Sequence, residues 1–240
     1  MMRADEDPIL RREGLAFFGR IVAGQSHEVT NVLNIINELA GLQQDVLTAG
    51  VPQVQDAERL NQVAGKIRTQ VQRGQSIVRA VNWFAHCVDH AKCVCDLKES
   101  IEQATYLAQR AARLAKTTLV QKYPDESIAF ETSHFGLIQT VYTCIEIALS
   151  ASSEIRQIDI SYEVIAGGAE ISVTSGDTIS PAEVADDKQT HLKLLVQELG
   201  GRLVTAPGAG DGHQIKLFIP RQPTGMPIDT TAPDGHKTED

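Results

Sequence analysis

The 240-residue chain has little of several residue types, and each shortage excludes a class of protein. Four cysteines are too few for a disulfide framework in a chain of this length, so we expect a reducing compartment. No run of about 18 apolar residues is present, and the first residues are charged, so the sequence predicts neither a transmembrane helix nor a signal peptide. We therefore expect a cytoplasmic protein that does not enter a membrane.

Basic and aromatic residues are also scarce. Lys and Arg number 22 against 31 for Asp and Glu, which gives a formal net charge of −9. Because an acidic surplus repels phosphate backbones, we expect no nucleic-acid partner. Aromatic residues make up only 5% of the chain, although 42% of its residues are hydrophobic. The chain can therefore bury one or two cores, and the composition of its first ninety residues favours packed helices.

The first ninety residues carry two apolar repeats with the period of an α-helix. Between Leu15 and Val46, apolar side chains recur in steps of three and four, which predicts one long helix. A segment with Gly and Pro at 48–53 ends it, and the same period resumes from Leu60 to Val88. When only two antiparallel helices pack together, the apolar face of each helix is partly uncovered. We therefore predict that two hairpins, residues 8–95 of each chain, form a homodimeric four-helix bundle.

The pattern changes after Asp96. Helical segments are predicted at 97–115, 133–151 and 181–199, with short alternating runs between them. The strongest β signal is a hairpin, QIDISYEVI and AEISVTS, joined by Ala-Gly-Gly, and two more strands flank the turn PGAGDG. We therefore predict an α + α/β fold, in which an α/β sandwich at 96–220 follows the hairpin and residues 221–240 form a disordered tail.

A polar group on the first helix is a candidate site. With Val22 at heptad position a, His27 falls at f, furthest from the seam and facing solvent. Glu28 is its neighbour, and Thr30 and Asn31 follow about one turn later. A neutral imidazole offers one nitrogen as a nucleophile, and a neighbouring carboxylate can accept the other ring proton. The ordinary alternative is a solvated helix face without chemistry.

The string SHEVTNVL, residues 26–33, resembles the phospho-acceptor box of bacterial two-component histidine kinases. The far end is also similar to that family, because LKLLVQELGGRLVTAPGAGDGHQIKLFIP matches its final helix, Gly-Gly turn and closing hairpin. The resemblance implies a kinase-ATPase-like second domain. It also implies that His27 is phosphorylated, with Glu28 and Asn31 as the acidic and polar residues of the box. Val32 stands where the family commonly has Pro, so we expect a straighter helix.

The second domain departs from that family where ATP would be held. The family's two box asparagines would fall at Thr143 and Ile147, and Ile cannot ligate Mg²⁺, although Glu146 beside them could supply an oxygen. The adenine-binding Asp is missing from its place unless a register slip brings in Asp177. No glycine lies between Asp177 and Leu199, where the family has its phosphate loop. We therefore expect no ATP binding.

An acceptor histidine without a phosphoryl donor resembles the dimeric bacterial histidine phosphotransferases, which keep a degenerate kinase domain. We therefore predict that His27 relays phosphoryl groups to or from receiver-domain aspartates of response regulators. The protein would need no intrinsic cofactor, because the receiver supplies Mg²⁺. Two alternatives stay open: an active ATP-dependent histidine kinase with a divergent nucleotide site, and a non-catalytic pseudokinase that binds a partner. Receiver choice would depend on residues below His27 and on the facing helix, Asn34, Asn37, Glu38, Arg68, Gln72 and Arg79.

A second candidate group lies at the foot of the second helix, in AHCVDHAKCVC: His86, Cys87, His90, Cys93 and Cys95. Two imidazoles one helical turn apart, with thiols nearby, could bind zinc or sense oxidation. The spacing matches no standard zinc module. We therefore expect no metal here and interpret the cysteines as small hydrophobic residues between the helix and the second domain. The remaining candidates are interpreted as incidental surface histidines, His134, His191 and His213, and a core cysteine, Cys144.

Overall fold

The structure is a computed structural model that describes residues 8–48, 54–124, 128–150, 157–175, 186–207 and 213–221. The described elements are, in chain order, α1 (Pro8–Thr48), α2 (Val54–His86), β1 (Cys93–Asp96), α3 (Leu97–Leu114), β2 (Thr118–Gln121), β3 (Ala129–Thr132), α4 (His134–Ser150), β4 (Gln157–Ile165), β5 (Gly168–Ser175), α5 (Asp186–Glu198), β6 (Arg202–Pro207) and β7 (His213–Pro220). A helical hairpin is therefore followed by a mixed α/β domain, as predicted. Of the expected tail at 221–240, residues 222–240 lie outside the described residues, and the backbone N–H of Arg221 donates to the Gly167 carbonyl at 2.8 Å.

The helices α1 and α2 form the predicted antiparallel hairpin. Near its turn, Gln43 Nε2 donates to the Leu60 carbonyl at 3.4 Å, and at the other end the rings of Phe17 and Phe84 meet edge to face. The helices pack closely in between, since a Cβ on Gly74 would lie only 3.2 Å from a side-chain carbon of Val32. Among the described helices, none combines the length and apolar character needed to cross a bilayer.

The larger sheet has the strand order β2-β4-β5-β7-β6, with β2 parallel to β4 and the other pairs antiparallel. The predicted β4–β5 hairpin is confirmed, with Ile165 opposite Gly168 beside the turn. Apolar and polar residues alternate along the central strands, so that one face is buried. That face contributes Ile158, Ile160, Tyr162, Ala169, Ile171, Val173, Ile215, Leu217 and Ile219.

Local sequence explains where the domain's helices begin and end. Asp96 caps α3, because its carboxylate accepts the Glu99 backbone N–H at 2.9 Å. Gly200 follows α5 with a φ of 68°, and the N–H of Gly201 donates to the Val196 carbonyl at 2.8 Å. This arrangement is a Schellman motif, in which glycine adopts the left-handed conformation at low cost. The Gly-Gly turn that the sequence resemblance placed after the final helix is present.

One strand was not predicted from the sequence. The prediction continued the second helix towards Val88, whereas α2 ends at His86 and the chain resumes as β1. Strand β1 pairs antiparallel with β3, with Cys93 opposite Thr132 and Cys95 opposite Phe130. Four residues are too few to show a clear strand period. The predicted domain boundary at 95/96 falls inside this strand, which is hydrogen-bonded to the α/β domain.

Candidate functional site

Helix α1 presents His27 to solvent near its middle. The helix buries one face, and successive residues of a helix are about 100° apart, so a residue beside a buried one can still point outwards. The ring of His27 is exposed, as predicted. Within the described residues, the ring forms no hydrogen bond or ion pair. The buried face is formed by Phe17, Ile21, Gln25, Glu28 and Val32.

Thr30 and Asn31, two of the other residues predicted around His27, are also on the helix surface. Thr30 Oγ1 donates to the Ser26 carbonyl at 3.0 Å, which holds the hydroxyl against the helix backbone. Asn31 is exposed, and α1 continues as a helix past Val32. The residues proposed to select a receiver are exposed as well: Asn34, Asn37, Glu38, Arg68, Gln72 and Arg79.

Glu28 has a different environment from the one expected for it. The sequence suggested a carboxylate that accepts a proton from His27, but the side chain of Glu28 is only 12% exposed and is surrounded by guanidinium groups. Its Oε2 accepts from Arg73 Nη2 at 2.6 Å and pairs with Arg113 Nη2 at 2.9 Å, and its Oε1 lies 3.8 Å from Arg110 Nε. Arg73 is on α2, and the other two are on α3. Glu28 therefore joins the hairpin to the α/β domain.

The group of Glu28, Arg73, Arg110 and Arg113, here called the arginine cluster, carries an excess of positive charge. Three guanidinium groups surround one carboxylate, which leaves a formal charge of 3 − 1 = +2. The side chains of Arg73 and Arg113 are 42% and 53% exposed. Several of their N–H groups can therefore still bind an anion, one residue along the helix from His27.

The positions that the resemblance assigns to nucleotide binding lie mostly in the core. Thr143 is buried and its Oγ1 donates to the Gln139 carbonyl at 2.7 Å, while Ile147 is only 3% exposed. Glu146 reaches the surface, where it pairs with Arg20 of α1 at 3.6 Å. Asp177 lies outside the described residues. In the described part of this region, α4 thus presents neither amide nor carboxylate at the two asparagine positions.

Helices α4 and α5 are joined by a polar contact that the sequence did not indicate. Gln139 Nε2 lies 3.2 Å from His191 Nε2. Since an amide N–H₂ only donates, the imidazole nitrogen must accept, which requires a neutral ring. Burial lowers the pKa of His191 and favours this neutral form. The prediction that His191 is an incidental surface residue was wrong, because a contact 52 residues apart leaves no local pattern.

The predicted group of His86, Cys87, His90, Cys93 and Cys95 separates into parts. His86 lies at the end of α2, where its Nδ1 is 2.8 Å from Asp89, and His90 follows beyond the helix, so the two imidazoles do not share a helical turn. Cys87 is buried, its thiol donates to the Trp83 carbonyl at 3.3 Å, and burial raises its pKa to about 12. Only Cys93 and Cys95 stay together.

Cys93 and Cys95 instead meet His134, which the sequence analysis had treated as an incidental surface residue. The two Sγ atoms are 3.4 Å apart, and one ring nitrogen of His134 lies with both sulfurs inside a distance of 4.8 Å. Two hydrogen bonds, a larger effect from Cys95 and a smaller one from His134, lower the pKa of the Cys93 thiol. The hydrogen bond with Cys93, together with burial, raises the pKa of the Cys95 thiol. Cys144 is fully buried, as predicted.

Comparison with known proteins finds matches among solved structures. No protein-family model and no curated protein matches the sequence. The histidine kinase AdeS of Acinetobacter baumannii matches 81% of this chain and 98% of its own at 15% identity, with a TM-score of 0.45. A bacterial phosphotransferase matches 84% of this chain and 96% of its own at 10% identity, with a TM-score of 0.47.

The histidine kinase ThkA, solved in a complex with the response regulator TrrA, matches 90% of this chain and 65% of its own. The identity is 18% and the TM-score 0.48. The helical hairpin of this chain, followed by an α/β domain, is the architecture that the sequence resemblance implied.

Proposed function

We propose that the protein is a histidine phosphotransferase of two-component signalling, which relays phosphoryl groups through His27 to or from receiver-domain aspartates of response regulators. The observation that carries the proposal is the exposed ring of His27 beside the arginine cluster. A nucleophilic nitrogen in mid-helix is accessible to a globular partner. The partner's own Mg²⁺ and aspartate then supply the rest of the chemistry.

The charge of the arginine cluster supports this role. A phosphoryl group transferred to His27 brings negative charge to a helix surface. Arg73 and Arg113 each keep exposed N–H groups while they hold Glu28. Guanidinium groups bind phosphate oxygens through charge-assisted hydrogen bonds. In this proposal Glu28 positions the two arginines, and it does not act as a base for His27.

The environment of α4 supports the absence of an ATP-dependent step. A nucleotide site of the kinase type needs an Mg²⁺ ligand from this helix, and the two corresponding positions are the buried Thr143 and Ile147. The Thr143 hydroxyl donates to the backbone of its own helix. We therefore propose that the α/β domain serves as a scaffold and partner surface, and that Mg²⁺ comes with the receiver domain.

A homodimer through the hairpin is part of the proposal. Large apolar side chains along α1 and α2 remain exposed in the single chain. Leu15 and Leu33 are 69% and 59% exposed on α1, and Val71 and Val78 are 42% and 56% exposed on α2. Burying them against a second hairpin would remove this surface from water and complete a four-helix bundle. Leu33→Glu should convert a dimer to a monomer in light scattering, whereas a monomeric wild-type protein would contradict the dimer.

Chemical phosphorylation tests the relay directly. The protein is incubated with phosphoramidate, whose P–N bond breaks as a bond forms from phosphorus to a ring nitrogen of His27 and ammonia leaves. Mass spectrometry should show one acid-labile phosphoryl group per chain in the wild type and none in His27→Gln. The matched control, His86→Gln, removes another exposed histidine and should keep the modification.

Transfer is then measured by adding purified receiver domains and Mg²⁺ to the phosphorylated protein. The proposal expects loss of phosphohistidine together with gain of phosphoaspartate on at least one receiver. Incorporation of ³²P at His27 from Mg-ATP alone would instead identify an active histidine kinase. If phosphohistidine forms but no receiver in a complete genomic panel accepts it, the protein is a non-catalytic binding protein.

A further inference from the structure

The strand β1 places two thiols side by side at the junction between the hairpin and the α/β domain. Residues two apart on a strand point to the same face, so Cys93 and Cys95 present their sulfurs together, 3.4 Å apart. Their Cα atoms are separated by two strand residues, or about 6.6 Å, near the upper limit for a disulfide. Holding one ion between the two sulfurs therefore requires less distortion than joining them covalently.

The ring of His134 lies beside the same two sulfurs. His134 is the first residue of α4 and follows β3, the strand that pairs with β1. Its ring packs edge to face against Trp83 of α2, with centroids 4.7 Å apart and an interplanar angle of 87°. Nε2 of His134 is buried and has no hydrogen-bond partner within the described residues. The ring is thus oriented by packing against Trp83, with one of its nitrogens close to both sulfurs.

The arrangement has the dimensions of a thiolate–imidazole metal site. The two sulfurs and one ring nitrogen all lie within 4.8 Å of one another. Around tetrahedral zinc, with Zn–S bonds of about 2.3 Å, two sulfurs would be about 3.8 Å apart. The observed 3.4 Å needs only a small adjustment. Cys87 is outside this set, because its thiol donates to the Trp83 carbonyl.

We propose that Cys93, Cys95 and His134 bind one zinc-class divalent cation, with the fourth coordination position open to water or an external ligand. The ion would connect β1 to the start of α4, against the Trp83 ring at the end of α2. Soft thiolate ligands with imidazole select zinc over magnesium or calcium, which prefer oxygen. Binding of the ion requires neither His27 nor phosphoryl transfer.

Metal titration of the full-length protein tests the site. After treatment with chelator and reductant, the protein is titrated with Zn²⁺ against a chromophoric competing chelator. Binding of one ion per chain at micromolar affinity or tighter is expected. Co²⁺ in place of Zn²⁺ should give thiolate-to-metal charge-transfer absorption. Co²⁺ should also quench Trp83, the single tryptophan of the chain, because its ring contacts the ring of His134.

Variants then identify the ligands. Cys93→Ser, Cys95→Ser and His134→Gln should each weaken Zn²⁺ binding at least about 100-fold, the upper end of the loss caused by removing an outer-shell partner. Cys144→Ala and His86→Gln are the matched controls, and both should bind like the wild type. Circular dichroism checks that each variant is folded.

X-ray absorption of the zinc-loaded wild type gives an answer that does not depend on any variant folding. Two sulfur neighbours at about 2.3 Å, with the remaining ligands nitrogen or oxygen, are expected. Three outcomes would overturn the proposal: no stoichiometric binding, unchanged affinity in the three ligand variants, or a sulfur count other than two.

Discussion

Replacing Glu28 by Gln removes the one negative charge of the arginine cluster, and the structure sets the size of the effect. Glu28 receives close contacts from Arg73 at 2.6 Å and Arg113 at 2.9 Å, and its side chain is only 12% exposed. Hydrogen bonds to charged groups contribute about 1.5–3 kcal/mol each. The two arginines are 42% and 53% exposed, so water replaces part of the hydrogen bonding to Glu28 that they lose. We expect Glu28→Gln to lower the free energy of unfolding by about 1–3 kcal/mol.

Urea denaturation measures this change with two probes. Circular dichroism follows the helices, and the fluorescence of Trp83 follows the junction, where its Nε1 donates to Glu99 of α3 at 3.1 Å. Since Glu28 joins the hairpin to α3, the variant should shift the Trp83 transition at least as far as the helical one. Two probes are needed because a chain with two structural parts need not unfold in one step.

The matched control for this experiment is Glu146→Gln. Glu146 of α4 also forms an ion pair with another helix, but its partner is Arg20 of α1 at 3.6 Å, and the side chain of Arg20 is 58% exposed. Such surface pairs contribute about 0–1 kcal/mol. If Glu28→Gln destabilised the protein no more than Glu146→Gln, the arginine cluster would not hold the two parts together and the reasoning would fail.

Three further predictions concern single positions. Because burial lowers the pKa of His191 below 6.5, its contribution to stability is complete above about pH 6.5 and declines as the pH falls; thermal melts of His191→Gln should lose this dependence. Gly65→Ala should raise stability by about 0.5–1 kcal/mol in urea titrations, because a Cβ there meets nothing within 4 Å and alanine favours a helix. Asp96→Ala should cost about 1 kcal/mol in the same assay, through loss of the N-cap to Glu99.

Features set by neighbours in the sequence could be predicted. The apolar period predicted α1 and α2, and alternation with an Ala-Gly-Gly turn predicted the β4–β5 hairpin. The position of His27 on the outer face of α1 follows from the same period. These predictions succeed because helical and strand periods depend on residues a few places apart.

Features that depend on contacts between residues far apart in the sequence could not be predicted. Glu28 lies one residue from His27, but its partner Arg73 is 45 residues away and Arg113 is 85 residues away. The sequence showed a carboxylate beside an imidazole, and only the packing of α1 on α2 and α3 directs it elsewhere. His134 was missed for the same reason, because β1 pairing with β3 brings it to cysteines about 40 residues earlier. The local signal was a cysteine pair at i and i+2, which the structure places on strand β1.

The arginine cluster and the Cys93–Cys95–His134 group both lie where the helical hairpin contacts the α/β domain. The first ties α1 and α2 to α3, and the second meets the end of α2 through Trp83. If His27 transfers phosphoryl groups, the receiver must approach beside Arg73 and Arg113, so the placement of α3 against the hairpin affects that approach. A metal ion bound by Cys93, Cys95 and His134 would stabilise the contact between the hairpin and the α/β domain. Relay rates measured with and without bound Zn²⁺ should therefore differ in the wild type and agree in His134→Gln.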